Sequence, residues 1–309
     1  MLDETERRIV SVLLASPRAS WRAVGEELGI SERTVVRRAL PLFQDGTLRA
    51  TAVRNPMHFP GHIPMALRIR CRPNRIRAVA ATLAKRPDTV TVDIIGGGDE
   101  ICALFQLVGT EARNLLLLRD LPATAAVESW TSYTMLRVFP TAFLWNGKAV
   151  KPSFATASLV PPSHHEVDEA LIAGLVADGR ASYTELAARC GTSALTARRR
   201  VDALVRGLSL RLAIEVDVGL LGVHGEALLW LNVAPGELNA TGEVLSQHPS
   251  VRFAAATTGR ANLVVAVAAA DLGALYGFLT GGELDRSVGM EVTPILTTMK
   301  RTGLVRAGV

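Results

Sequence analysis

Cysteine is scarce in this 309-residue chain. Its three residues, Cys71, Cys102 and Cys190, are too few and too scattered for a disulfide framework or a zinc site. They are expected as buried thiols in a reducing cytoplasm. No uninterrupted apolar run reaches the roughly 18 residues that a membrane span needs. The opening MLDETERRIV is charged where a signal peptide would carry an apolar core, so a cytoplasmic chain with no membrane partner is expected. Six histidines show neither metal-ligand spacing nor a nucleophile–base arrangement, and no G-x-G-x-x-G opens a helix. No metal, no cofactor and no catalytic residues are therefore predicted. Lysine is rare as well, with 4 against 30 arginines. A GC-rich coding sequence accounts for that ratio, so only local arginine clusters carry a functional argument.

What the chain does contain is itself, twice. ISERTVVRRALPLF, from Ile30, is answered by TSALTARRRVDALV, from Thr192. At an offset of 162, Ser31 meets Ser193, Thr34 meets Thr196, Arg37 meets Arg199 and Arg38 meets Arg200. The same offset joins Arg18-Ala19-Ser20-Trp21 to Arg180-Ala181-Ser182-Tyr183, and Gly97 to Gly259. This is a duplication of about 140 residues rather than a short solenoid repeat. The intervening 146–163 is rich in Pro and Ser, as a linker would be, and ends beside His164 and His165.

Each copy divides in two. In the first, apolar spacing predicts a helix over 4–15, a second over 21–28 capped by Ser20, and a third capped by Ser31. Gly29 supplies the left-handed stop between the last two. Pro41 is expected to bend or end the third helix near Leu40. TLRATAVR then reads as a strand forming a small wing. Such a helix-turn-helix presents its third helix to the DNA major groove, where Glu32, Arg33, Thr34 and Arg37 face outward.

The remainder of each copy reads β-α-β-β-α-β: MALRIRC, a helix from Pro73, TVTVDII, EICALFQLV, TEARNLLLLRDL and VESWTSYTMLRV. EALLWLNV through VGMEVTPILTTM repeats that order. An antiparallel sheet with helices on one face leaves its other face needing cover, which invites pairing of the two sheets. Arg68, Arg70 and Arg72 alternate with apolar residues and fall on one sheet face, where they need anionic partners.

On these residues the chain resembles the Lrp/AsnC (feast/famine) family of transcriptional regulators. LDETERRIVSVLLASPRASWRAVGEELGISERTVVRR carries the DNA-binding part, and RPDTVTVDIIGGGDEICALFQLV with HPSVRFAAATTGRANLVVAVAAAD carries the sheet part. The resemblance implies an α+β fold, two winged helix-turn-helix domains alternating with two ferredoxin-like βαββαβ sandwich domains. Expected bounds are 1–60 and 164–216 for the heads, and 64–145 and 222–307 for the sheet domains. It implies a regulator binding double-stranded DNA, modulated by an amino-acid-like effector and assembling as a homo-oligomer, a dimer of pseudo-dimers.

Expected DNA contacts are Ser20, Ser31, Glu32, Arg33, Thr34, Arg37, Arg38, Ser193, Thr196, Arg198, Arg199 and Arg200. Expected effector contacts are Gly97, Gly98, Asp99, Glu100, Gly259, Arg260 and Asn262. Glu100 would meet a ligand amine and Arg260 a carboxylate. Where Glu100 carries the family's acid three residues after the loop glycine, the second copy departs from the pattern with Asn262. Fused sirohaem decarboxylases resemble the same tandem arrangement, so an enzyme is the alternative, although GEALLWLNV lacks their NAM-x-VW type of stretch. A ligand sensor or scaffold that has lost one DNA-reading head is the other.

Overall fold

The computed structural model describes residues 2–144, 163 and 165–306. Apart from Ser163, the linker of 146–163 lies outside the described residues, as does His164. The first copy contains α1 (Glu4–Ala15), α2 (Trp21–Leu28), α3 (Glu32–Gln44), β1 (Leu48–Arg54), β2 (His62–Cys71), α4 (Ile76–Lys85), β3 (Thr89–Ile95) and β4 (Glu100–Val108). It continues with α5 (Gly109–Leu115), which runs through a π-helical turn over Leu116–Asp120, then β5 (Val127–Val138) and α6 (Thr141–Leu144). The second contains α7 (Asp168–Ala177), α8 (Tyr183–Cys190), α9 (Ala194–Arg206), β6 (Leu210–Val216), β7 (Gly225–Val233) and α10 (Leu238–Leu245). β8 (Val251–Thr257), β9 (Leu263–Ala269), α11 (Leu272–Leu279), β10 (Ser287–Arg301) and β11 (Leu304–Val305) complete it. None of the described helices is long and apolar enough to cross a membrane.

The chain divides by function of the elements rather than by copy. Residues 2–55 and 165–222, both three-helix heads, form one unit, and residues 56–144 and 223–306, both sheet halves, form the other. Local chemistry sets each head. Asp3 and Glu6 make a reciprocal capping box on α1 at 2.8 and 2.9 Å, and Gly29 stops α2 at φ 69°. Ile9, Val10, Leu13, Val24, Val35, Ala39 and Leu42 close the first core. Pro41 does not end α3, which continues to Gln44. The carbonyl that Pro41 cannot bond belongs to exposed Arg37, and Pro41 is exposed itself, so the gap in the helix falls on the solvent face.

The strand expected as a wing is present, with a different partner. β1 does not fold back on its own head but pairs antiparallel with β6 of the other copy, Leu48 opposite Val216 through to Arg54 opposite Leu210. Ile214 and Val216 thereby enter the first head's core.

In the other unit each copy makes a four-stranded antiparallel sheet, β3-β4-β2-β5 and β8-β9-β7-β10. They do not merely face one another. β5 pairs with β8 (Met135 opposite Thr257) and β10 pairs with β3 (Ile295 opposite Ile95), closing a ring of eight strands. Where the seams pair, at Met135–Val138 of β5 and Ile295–Lys300 of β10, no edge is left open to strand-to-strand aggregation. One face of each sheet packs on helices. Leu67 and Ile69 meet Ile76, Ala80 and Leu83 of α4, and Leu229 and Leu231 meet Leu245, Leu275 and Phe278 of α10 and α11. The inner faces meet through Ala66, Cys102, Tyr133 and Met135 of one copy and Leu228, Trp230, Val264 and Ala266 of the other.

Phe139, just past β5, crosses the seam. Fully buried, it sits in the second copy's core, and its ring lies where a side chain at Gly242 would have to go. Cys71 and Cys102 are buried as expected, whereas Cys190 is only half-buried. Burial pushes the Cys71 thiol up to about 11 and Cys102 higher still, leaving both inert.

Candidate nucleic-acid interface and ligand cavity

Helix α3 and its counterpart α9 begin identically. Ser31 Oγ accepts from Thr34 N at 3.1 Å and Ser193 Oγ accepts from Thr196 N at 3.1 Å. In each pair the two hydroxyls also bond at 2.9 Å. Ser20 caps α2 in the same way, through Ala23 N. These residues set the helix starts, and their hydroxyls are already engaged.

The arginines then separate into two groups. Arg33, Arg37 and Arg199 are exposed and make no ion pair among the described residues, and Arg198 reaches only Asp202, at 3.9 Å. Arg38 and Arg200, expected at DNA, are instead struts. Arg38 pairs with Asp3 at 2.9 Å and Glu6 at 3.7 Å. Arg200 grips the fully buried Asp168 at 2.9 and 2.7 Å and donates to Ser163 O. Both turn back onto the first helix of their own head, because a buried carboxylate such as Asp168 requires a paired cation. At the outward N-terminal turn the heads diverge: Glu32 and Arg33 are matched by Ala194 and Leu195, and Leu195 is 67% exposed.

The heads are fastened to each other reciprocally. Arg18 donates to Gly179 O and Ala181 O at 2.8 and 2.7 Å and lies over the Tyr183 ring. Arg180 does the mirror of this, donating to Pro17 O and Ala19 O at 2.6 and 2.8 Å and lying over the Trp21 ring. Every partner in one set stands 162 residues from its counterpart in the other, which makes the contact isologous within one chain. Burial, and then the Arg18 charge nearby, push the Arg180 guanidinium down. Gly179 lies against β1, where a Cβ would stand 2.6 Å from Thr51 N. Arg18→Ala and Arg180→Ala are each expected to lower the stability of the paired heads by about 1–3 kcal/mol, since each strands two carbonyl acceptors. Urea denaturation followed by Trp21 fluorescence measures this; a loss in one variant and none in the other would contradict the reciprocity.

In the sheet unit a cavity of about 500 Å³ opens between the inner faces. From the first copy it takes Arg68 and Arg70 of β2, Glu100 of β4, and Ser129, Trp130, Thr131 and Tyr133 of β5. From the second come Trp230 and Asn232 of β7, Arg260 and Ala261 of the β8–β9 loop, and Met290 and Glu291 of β10. Arg68 and Trp230 are counterparts at the 162 offset and touch, the guanidinium 4.7 Å from the ring centre, so the cavity lies on the pseudo-twofold axis. Tyr133 stacks on Trp230 at 4.8 Å.

Arg68 holds two carboxylates. Its Nε and Nη2 donate to Glu100 at 2.9 and 2.7 Å, and its Nη1 and Nη2 donate to Glu291 at 2.8 and 2.7 Å. Hydrogen bonding to Arg68 holds the Glu291 carboxyl below the usual range. The anionic partners that the sheet-face arginines needed are thus the chain's own carboxylates. Arg70 has only Asp99, at 3.7 Å. Arg72 falls beyond β2, exposed and outside the cavity lining, because the strand ends at Cys71. Trp230 Nε1–H is buried without an acceptor, at a cost of roughly 1–3 kcal/mol.

Of the residues expected at an effector, Glu100 and Arg260 line the cavity. Gly97, Gly98, Asp99, Gly259 and Asn262 do not. Asn262 clamps the end of β7, accepting from Val233 N at 2.9 Å and donating to Val233 O at 2.7 Å. Gly259, at φ 98°, lets its loop approach Tyr133, where a Cβ would stand 3.0 Å from the ring. Sequence reasoning missed Trp130, Tyr133, Met290 and Glu291. The signal for Tyr133 and Glu291 was the strand period, which sets Tyr133 on the same face of β5 as Ser129 and Thr131, and the repeat, in which Glu291 beside Trp230 answers Thr131 beside Arg68.

The AsnC-type helix-turn-helix domain matches this chain at residues 2–40 and again at 166–205. An HTH-type transcriptional regulator of Pyrococcus furiosus is 30% identical over 102 residues, which cover 33% of this chain and 69% of that protein. Another, of Pyrococcus horikoshii, is 29% identical over 144 residues, covering 46% of this chain and 90% of that protein. Among solved structures, that of a siroheme decarboxylase aligns over 97% of this chain and 93% of its own, with a TM-score of 0.60 and 12% identity, a likeness of fold. With its helix-turn-helix matched at both ends and relatives that span one copy of the repeat, the chain belongs to the Lrp/AsnC family of HTH-type transcriptional regulators.

Proposed function

We propose that this chain binds double-stranded DNA through two unequal heads and regulates transcription in the cytoplasm in response to a small molecule held in the sheet unit. The observation that carries the reading is the pair of clasped heads, whose recognition helices present exposed arginines with no ion pair among the described residues, Arg33 and Arg37 on α3 and Arg199 on α9. A helix of this kind enters the major groove with its first residues at base edges, and paired heads read half-sites at a fixed spacing. Because α3 offers Glu32 and Arg33 where α9 offers Ala194 and Leu195, the operator is an imperfect palindrome. Footprinting on genomic fragments, followed by half-site swaps, tests this; two interchangeable half-sites would overturn it. Self-association into a dimer of pseudo-dimers belongs to the same reading, and sedimentation velocity distinguishes it from a 33.0 kDa monomer.

The likeness of fold to a siroheme decarboxylase favours a second reading, an enzyme working in the cavity. Decarboxylation leaves a carbanion that must take up a proton. Tyr133 is the cavity's neutral acid, and burial pushes its phenol up, away from ready donation at neutral pH. That favours the regulator. Carbon dioxide release from a tetrapyrrole carboxylate by the purified chain would reverse the order.

A further inference from the structure

We propose that the cavity on the pseudo-twofold axis binds one flat aromatic carboxylate per chain, whose carboxylate takes the place of Glu291 on Arg68. This rests on reading the cavity as the effector site, and adds to it the ligand's class and the group it displaces.

Charge selects the ligand's sign. Three arginines, Arg68, Arg70 and Arg260, face two glutamates, Glu100 and Glu291, across the lining. Asp99, just outside the lining, lies 3.7 Å from Arg70, so the charge open to an anion is that of Arg260. Arg70 has only a distant partner, and Arg260 makes no ion pair among the described residues. Shape selects the body, because Tyr133 and Trp230 supply aromatic surface and the volume of about 500 Å³ suits a small metabolite.

Arg68 is the anchor best placed, being 13% exposed and resting on the Trp230 ring. Four of its five N–H donors are taken, and with them both edges that can grip a carboxylate with two bonds. An incoming carboxylate that is to be gripped in this way has to exchange with one already there. The two residents differ. Glu100 is 14% exposed and held on β4, beside Arg68 in the same sheet, whereas Glu291 is 55% exposed and reaches across from β10 of the other copy. Glu291 can leave into water at little cost, and a ligand carboxylate can reproduce its paired hydrogen bonds on the guanidinium. Glu291 therefore acts as a resident competitor.

One site per chain follows from the broken symmetry. The structural counterparts of Arg68, Arg70, Glu100 and Glu291 are Trp230, Asn232, Asn262 and Thr131, so the inverted pose has neither anchor nor competitor.

Calorimetry on the full-length chain tests the exchange, with benzoate as the anionic probe, benzylamine as its cationic match and a panel of L-amino acids beside them. Benzoate is expected to bind wild type at one site, and Glu291→Gln about tenfold more tightly, since the competing charge is gone. Arg68→Met is expected to abolish binding, and thermal melting of each variant checks that it is folded. Benzoate binding that is unchanged or weaker in Glu291→Gln overturns the exchange. Two sites per chain overturn the asymmetry, and benzylamine binding in place of benzoate overturns the anion. Amino acids that bind both proteins alike, with benzoate silent, defeat this proposal while the effector reading stands. Silence from every probe defeats both.

Discussion

Phe139→Ala is expected to destabilise the sheet unit by about 3–5 kcal/mol, the range for truncating a fully buried phenylalanine. The side chain belongs to the first copy but fills the second copy's core among Leu229, Leu231, Leu245 and Val265. Its ring rests against α10 at Gly242, and Phe139 N donates to Ala254 O at 2.9 Å. Removing the ring opens a cavity at the seam, where few neighbours can move to fill it because strand pairing on both sides holds them. The converse substitution acts at the same place. A Cβ at Gly242 would overlap Phe139 Cζ, so Gly242→Ala must displace the ring or the helix. Guanidinium denaturation of both variants measures the effect. A loss below 1 kcal/mol in Phe139→Ala would mean that the interlock carries no stability.

The second large effect falls on DNA. Arg33→Ala and Arg37→Ala are each expected to weaken binding to the specific site by about 1–3 kcal/mol, and to relax base preference in one half-site only. Both side chains are exposed on the first turns of α3 and free of ion pairs among the described residues. Leu195, at the position of Arg33 in α9, offers only apolar contact, such as a thymine methyl accepts. Leu195→Ala should therefore cost less. Arg38→Ala is the control, because its guanidinium already bonds to Asp3 and Glu6, so its cost should appear in head stability. Titrations at several salt concentrations separate base contacts from phosphate contacts, which flatten the salt slope when removed. Equal losses from Arg33→Ala and Leu195→Ala would contradict an unequal pair of heads.

The fold was largely legible because the sequence states it twice. Spacing and caps placed the six head helices, and period-two alternation placed the strands of both sheets. The seams were not legible. β1 pairing with β6, and β5 with β8, depend on backbone hydrogen bonds between distant segments, and alternation names a strand without naming its partner. Pro41 misled because the helix rule takes no account of which face the freed carbonyl meets. The ion pairs of Arg38 and Arg200 had their signal in the repeat: Glu6 and Asp168 are both acidic and 162 residues apart, as partners of a repeated strut would be. In the cavity, Glu100 and Arg260 were legible from their loops, yet Glu291, the group that matters most to Arg68, lies 223 residues away along the chain.

β1 finds its partner strand only 156 to 168 residues later in the chain, and β3 waits longer still for β10. At a ribosomal rate of about 5–20 residues per second, the first copy emerges with open edges for roughly 10–30 s. Neighbouring ribosomes on one message display the same edges, and two first copies are similar enough to pair. The seam discourages that union. Two first copies would set Arg68 against another Arg68, with Thr131 where Glu291 belongs, and would press Phe139 onto Ala80, the counterpart of Gly242. The residues that make the copies unequal thus also steer a half-made chain to wait for its own second half.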